Sequence, residues 1–128
     1  MREILFRGKA IDGNWYYGVP LVFTEDYVCM TAPHTYNKSV ELNTLGQYTG
    51  LTDKNGTKIF EGDIVEGLDF TAEDGGYGVV TFDDGAFEVV GSCYNNIVGT
   101  FHENYYGKDF EVIGNIHDNP ELLKGEEQ

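Results

Sequence analysis

A chain of 128 residues with 17 Gly, 3 Pro and 14% aromatic residues is long enough for one packed core and too short for two independent ones. Its formal net charge of −14, from 22 acids against 8 Lys and Arg, argues against phosphate binding, because neutralising a nucleic-acid backbone takes cations. No apolar run approaches the roughly 20 residues of a membrane-spanning helix, and Met1-Arg2-Glu3-Ile4-Leu5-Phe6-Arg7 carries an acid and no long apolar stretch, so it does not read as a signal peptide.

The chain opens with an expected strand, Ile4 to Lys9, and Asp12-Gly13 turns it into the aromatic stretch Trp15-Tyr16-Tyr17, giving an N-terminal hairpin. Pro20 suits an edge or a strand end, since it cannot donate to a central ladder. Tyr27-Val28-Cys29-Met30 reads as the next strand, Ala32 to Ser39 as a loop, and Val40-Glu41-Leu42 as a short strand. Asn55-Gly56 then marks a two-residue type I′ hairpin turn, because both of its central positions need φ > 0. Glu61-Gly62-Asp63 is a second turn that releases the chain into Ile64-Val65. Asp69 to Gly78 is polar and Gly-rich and is expected to be a mobile loop. Val79–Phe82 and Ala86–Val90 flank Asp83-Asp84-Gly85, with Gly85 fitted to the left-handed position of a three-residue loop. Phe110 to Ile116 alternates as a final strand, with Phe110, Val112 and Gly114 on one face. Pro120 to Lys124 fits one helical turn, with Asn119 as its cap and Pro120 at its first position.

Taken together these elements predict a mainly β fold. The order after residue 58, strand, long loop, tight hairpin and closing strand, suggests a small antiparallel, SH3-like, partly open barrel, preceded by the N-terminal hairpin and followed by a short C-terminal helical turn. The expected organisation is one domain over 1–128, with an N-terminal hairpin and loop at 1–46, a signature and barrel-like region at 47–117 and a turn and tail at 118–128.

Charge is unevenly spread. Residues 1–58 hold six acids and six cations, residues 59–107 hold ten acids and no Lys or Arg, and residues 108–128 hold six acids against Lys108 and Lys124. One reading is that the acids only keep a small protein soluble. The sharper reading is an acidic surface for a basic partner, DNA mimicry included.

Three blocks, in order, carry a resemblance: Met1-Arg2-Glu3-Ile4-Leu5-Phe6-Arg7, then Gln47-Tyr48-Thr49-Gly50-Leu51-Thr52-Asp53-Lys54-Asn55-Gly56 with Ile59-Phe60-Glu61-Gly62-Asp63-Ile64-Val65, then Phe110-Glu111-Val112-Ile113-Gly114-Asn115-Ile116-His117-Asp118-Asn119-Pro120-Glu121-Leu122-Leu123. The chain resembles the YopX family of phage and prophage proteins over nearly its whole length. The resemblance implies a phage or prophage origin and a β-rich fold. It brings no established activity and no functional residues to carry over.

Local chemistry favours structural roles. Asp53 and Asn55 have the spacing of the first two ligands of an EF-hand calcium loop, but the following positions are Thr57, Lys58 in place of the required Gly, and Ile64 in place of the closing Glu. His34, His102 and His117 are scattered, and Cys29 and Cys93 form no CxxC, so neither a metal site nor a cofactor is assigned. In a reducing cytosol the two cysteines read as free thiols. Cys93 as a nucleophile needs a His brought to it by the fold; a structural thiol is the commoner case. Asp83 and Asp84 have acid–base chemistry available, but a hairpin tip suits turn residues better. No catalytic, cofactor-binding or metal residue is therefore assigned.

Tyr16, Tyr17, Tyr105 and Tyr106 form two Tyr-Tyr pairs, and aromatic faces stack on bases. Without nearby cations such rings read as core or interface residues. A nucleic-acid face would have to draw on Arg2, Arg7, Lys9, Lys38, Lys54 and Lys58. The leading expectation is a non-enzymatic phage accessory protein in the cytoplasm of a bacterial host, acting as an acidic protein-binding module for a basic host or phage protein. A nucleic-acid-associated β-barrel module is the first alternative, and an enzyme of unrecognised type the second. A homo-oligomer is also expected, anchored on Trp15–Tyr17 and Tyr105–Tyr106, because a small β domain with 18 aromatic residues exposes sheet edges that another chain can cover.

Overall fold

A computed structural model describes residues 4–31, 37–67, 77–83, 86–91, 97–100 and 110–124. The protein is mainly β, with two antiparallel sheets. The chain divides into two compact units, Met1–Gly50 and Leu51–Gln128.

In the first unit the strands are β1 (Phe6–Lys9), β2 (Trp15–Phe23), β3 (Tyr27–Thr31), β4 (Lys38–Glu41) and the start of β5 (Gly46–Thr52), with a 3-10 turn at Leu42–Thr44 before β5. Their order in the sheet is β4-β3-β2-β1-β5. The expected N-terminal hairpin is present, with Lys9 opposite Trp15 and Arg7 opposite Tyr17. Its turn closes through Ala10 N–H to the Asn14 carbonyl and Gly13 N–H to the Ala10 carbonyl, both at 2.9 Å. The Asp12 carboxylate accepts the Asn14 N–H at 2.9 Å and fixes the turn from inside. Val28, Met30 and Val40 are fully buried, and Phe6, Tyr16, Leu42 and Leu45 pack against them.

β2 runs further than the aromatic triplet suggests and takes Pro20 into its middle, opposite Met30. Pro20 is thus not at a strand end. The ladder shifts register between Pro20 and Val22, and that bulge absorbs the missing donor. Gly18 sits where β2 passes tightly over β3: a Cβ there would overlap the Thr31 carbonyl oxygen.

In the second unit, the end of β5 turns into β6 (Lys58–Phe60), followed by β7 (Asp63–Gly67), β8 (Tyr77–Asp83), β9 (Ala86–Gly91), β10 (Ile97–Thr100) and β11 (Phe110–Asn115), then a four-residue helical turn, Glu121–Lys124. The five-stranded sheet has the order β10-β9-β8-β7-β11, so a meander is closed on its β7 side by the last strand. The β8–β9 hairpin has the expected pairing, from Val79 opposite Val90 to Phe82 opposite Phe87. Asp83 belongs to the strand, opposite Ala86, rather than to the loop; Asp84 and Gly85 lie outside the described residues. The expected mobile loop at 69–78 also lies outside them, except that Tyr77 and Gly78 already belong to β8. Ile59, Val65, Val80, Phe87, Val89 and Phe110 form the core, with Leu51 and Val112 packed on it.

Two local expectations need correction here. The Asn55-Gly56 turn is not a two-residue type I′ turn. Gly56 N–H donates to the Asp53 carbonyl at 3.0 Å and Asp53 N–H to the Thr57 carbonyl at 2.7 Å, so Lys54-Asn55-Gly56 form a three-residue loop with Gly56 at φ 87. The Asp53 side chain favours this form by accepting the Asn55 N–H. In β11, a register shift between Val112 and Gly114 interrupts the expected alternation.

Candidate functional site

In the second unit Asp53, only 4% exposed, is engaged at both carboxylate oxygens. Its Oδ1 accepts the N–H groups of Asn55 at 2.8 Å and Thr57 at 2.9 Å. Its Oδ2 accepts the Val112 N–H at 2.9 Å. Burial pushes its pKa up, but the backbone donors of Val112, Thr57 and Asn55, helped by the Lys54 charge, outweigh that and hold it below the usual carboxylate value. Lys54 N–H also donates to the Phe110 carbonyl, and the Lys54 ammonium lies 3.5 Å from Glu111. The residues that looked like the start of a calcium loop therefore form a clamp. Asp53 spends its oxygens on backbone donors of the turn and of β11.

A second clamp lies at the other end of β11. Asn115 Oδ1 accepts the N–H groups of His117 and Asp118, both at 2.9 Å. Asn115 N–H in turn donates to Asn119 Oδ1 at 3.2 Å. Asn119 thus points its side chain back to Asn115 instead of capping the helical turn as expected; its carbonyl accepts from Leu122 N–H at 3.1 Å. Asp63, 1% exposed, accepts the Phe60 N–H at 2.7 Å and closes the Glu61-Gly62 turn in the same manner.

The other residues singled out by sequence are dispersed. His117 lies in the Asn115 turn, whereas His34, His102, Cys93, Asp84, Tyr105, Tyr106 and Arg2 lie outside the described residues. Cys29 is a free, half-buried thiol on β3. Among the described residues no three His, Cys, Asp or Glu side chains converge in a metal-holding group, and no helix is long and apolar enough to cross a membrane.

Of the cations proposed for a nucleic-acid face, Arg7, Lys38 and Lys54 are engaged within the chain. Arg7 is 8% exposed, with its guanidinium 4.8 Å from the Trp15 ring centre. The Lys38 ammonium lies 5.2 Å from the Tyr16 ring centre, and the Tyr16 hydroxyl reaches Asp12 at 3.2 Å. Trp15 and Tyr16 are half-buried, so of the N-terminal aromatic triplet only Tyr17 stands exposed. Beyond it, Val19, Leu21, Val22 and Phe23 continue an exposed apolar stripe that the sequence reading did not assign to any role. An open cleft of about 530 Å³ near the β2–β3 turn is lined by Glu25, Asp26, Tyr27, Glu41, Leu42 and Asn43.

Fold and site thus define a mainly β protein in which the buried side chains of Asp53 and Asp63 clamp turns. The chain matches the YopX family, described as YopX protein, over residues 6–124, and it belongs to that family. Among solved structures it is similar to the crystal structure of protein EF1440 from Enterococcus faecalis, with 25% identity and a TM-score of 0.59, covering 96% of this chain and 99% of that one. No curated protein matches it.

Proposed function

We propose that the protein is a non-enzymatic phage or prophage accessory protein of the host cytoplasm, and that it acts as an acidic protein-binding module for a basic host or phage protein. One observation carries this reading: acids are concentrated in the second half of the chain, and three of the cations face partners within the chain. Residues 51–128 hold 17 acids against four cations, while Arg7 and Lys38 sit on aromatic rings and Lys54 faces Glu111. Such a surface attracts a cationic partner over a Debye length of about 8 Å at physiological salt and repels phosphate. We further propose that β7 to β11 form an SH3-like, partly open barrel, supported by the meander whose last strand returns to β7. The residues 1–128 act as a single functional domain in this reading.

Affinity capture from host lysate with the full chain tests the proposal. A basic protein, retained at 0.1 M salt and released by about 1 M salt, is the expected result, since screening shortens the field to about 3 Å at the higher concentration. Salt-sensitive nucleic acid as the retained species would replace this reading with the nucleic-acid alternative.

A further inference from the structure

Asn55 is the one asparagine in the chain that a glycine follows, and it stands exposed at the tip of the Asp53–Thr57 turn. That dipeptide has a chemistry of its own. The backbone nitrogen of the residue after an asparagine can close on the side-chain amide carbon, and glycine, with no Cβ, puts nothing in the way. A Cβ on Gly56 would itself meet nothing within 4 Å, so packing does not shield the pair. In this reaction the Gly56 N–H gives its proton to a solvent base and the bond from Gly56 N to Asn55 Cγ forms. The Cγ–Nδ2 bond breaks, and Nδ2 takes up a proton and leaves as ammonia. Water then opens the cyclic imide at either carbonyl, leaving aspartate or isoaspartate in place of Asn55.

The folded turn opposes each requirement of that ring closure. Gly56 N–H, whose proton must leave, donates to the Asp53 carbonyl at 3.0 Å. Asp53 Oδ1 accepts the N–H groups on both sides of it, from Asn55 at 2.8 Å and from Thr57 at 2.9 Å. A carboxylate held there disfavours a second negative charge on the nitrogen between them. These bonds, with Gly56 at φ 87, are those of a type I turn closed by a left-handed glycine. Such a turn holds its third residue, here Asn55, at a ψ of about 0°. Asn55 Cβ and Gly56 N are then swung apart about the Cα–C bond, whereas the ring needs them on the same side. The Asn55 amide is also tied to β11, its Nδ2 donating to Glu111 Oε2 at 3.4 Å.

We infer that Asn55 is a self-modification site gated by the Asp53 clamp: the closed turn keeps the amide intact, and each opening of the turn exposes it to ring closure by Gly56. Reaction makes the opening permanent. Isoaspartate inserts a methylene into the backbone, so the three-residue loop cannot re-form with Gly56 N–H on the Asp53 carbonyl. Aspartate replaces the donor to Glu111 with a like charge. The turn tied to β11 through Asp53 Oδ2 and Val112 N–H thus keeps a one-way chemical record of its own openings. Nothing in this inference draws on the basic partner proposed above.

The test is the rate of amide loss at Asn55, read by peptide mass mapping with an isoaspartate-specific label, on the full chain in mildly alkaline buffer, folded and in guanidinium chloride. Folded wild type should react roughly tenfold or more slowly than the unfolded chain, because only the open fraction reacts. Asp53→Ala, while it keeps a thermal transition, should react several-fold faster than wild type. Should that variant lose its transition, amide hydrogen exchange on wild type takes its place. Gly56 N–H must leave the Asp53 carbonyl for both processes, so the retardation of amide loss should equal or exceed the exchange protection of Gly56. The converted chain, separated by anion exchange, should melt below its parent. Folded wild type reacting at the unfolded rate, a folded Asp53→Ala no faster than wild type, amide loss outrunning the opening that exchange measures, conversion of other asparagines with Asn55 intact, or a converted chain as stable as its parent would overturn the inference.

Discussion

Asp53 Oδ2 accepts a hydrogen bond from the Val112 backbone N–H at 2.9 Å, across 59 residues of sequence. This one contact ties the Asp53–Thr57 turn to β11. Two of the three sequence blocks that carry the family resemblance are therefore parts of one construction, in which a turn carboxylate supplies the acceptor that a strand lacks at its bulge.

Removing that carboxylate leaves three backbone N–H groups without their acceptor. Asp53→Ala is expected to lower stability by about 1–3 kcal/mol, the range for leaving buried donors unsatisfied. Asp53→Asn should cost less, because its amide oxygen still serves the turn, but its NH₂ then opposes the Val112 N–H or the turn donors. Urea unfolding midpoints with unchanged slopes would measure both. Equal stability of wild type and Asp53→Ala would show the clamp to be ornamental.

The same carboxylate gives the fold an acid sensitivity. Its pKa in the folded protein lies below the ordinary value of 3.8 because the Val112, Thr57 and Asn55 N–H groups outweigh burial. A depressed folded pKa means that the contribution is fully present above the unfolded value and is lost as pH falls through the folded one. Asp53→Asn should therefore flatten the fall of stability below about pH 4, where an unfolded aspartate takes up its proton. Melting temperatures of both proteins between pH 2 and 6 would show it; parallel curves would assign the acid limb to other carboxylates.

Gly56 and Gly62 both hold positive φ, 87 and 93. Val at either position must enter a left-handed conformation that its branched side chain resists, so each substitution is expected to destabilise by about 1 kcal/mol or more. A Cβ on Gly56 would meet nothing within 4 Å, so the loss there is conformational and not steric. Thermal melts of Gly56→Val and Gly62→Val unchanged from wild type would contradict this account.

Gly18 offers the opposite case. Its Cβ position is occupied by the Thr31 carbonyl oxygen, and the Thr31 hydroxyl bonds the Val19 N–H and carbonyl beside it. Gly18→Ala must push β2 off β3, at a cost of about 1–3 kcal/mol typical of overpacking. Backbone amide exchange in β2 and β3 should quicken in the variant, and unaltered exchange there would count against the tight approach.

What was legible in the sequence was what neighbouring residues decide. Asp12-Gly13 and the β-branched arms around Asp83 specify hairpins through their own turn chemistry, and both hairpins are present. Asn55-Gly56 gave the turn but not its type, because the deciding acceptor is the Asp53 side chain two residues earlier. The close approach at Gly18, the bulges at Pro20 and Val112, and the Asp53–Val112 bond depend on partners 7 to 59 residues away, and no local pattern encodes them. Val19 to Phe23 carried no reading beyond Pro20, because an apolar stretch does not say which of its faces the fold leaves uncovered.

Duplex DNA should not bind. The acidic second unit sets a repulsive field, and two cations of the first unit are turned to other work: Arg7 is nearly inaccessible against Trp15, and Lys38 lies over Tyr16. Moving Arg7 to a phosphate would mean breaking its ring contact and exposing Trp15, so the gain from one released counterion is offset by a cation–π loss of about 0.5–2 kcal/mol. A gel-shift titration to 10 μM protein in 0.15 M salt is expected to leave duplex DNA free. Arg7→Ala should not change that result, but it should lower thermal stability through the lost stacking. A sub-micromolar complex that weakens steeply with salt, and weakens further in Arg7→Ala, would place nucleic acid ahead of a basic protein as the partner.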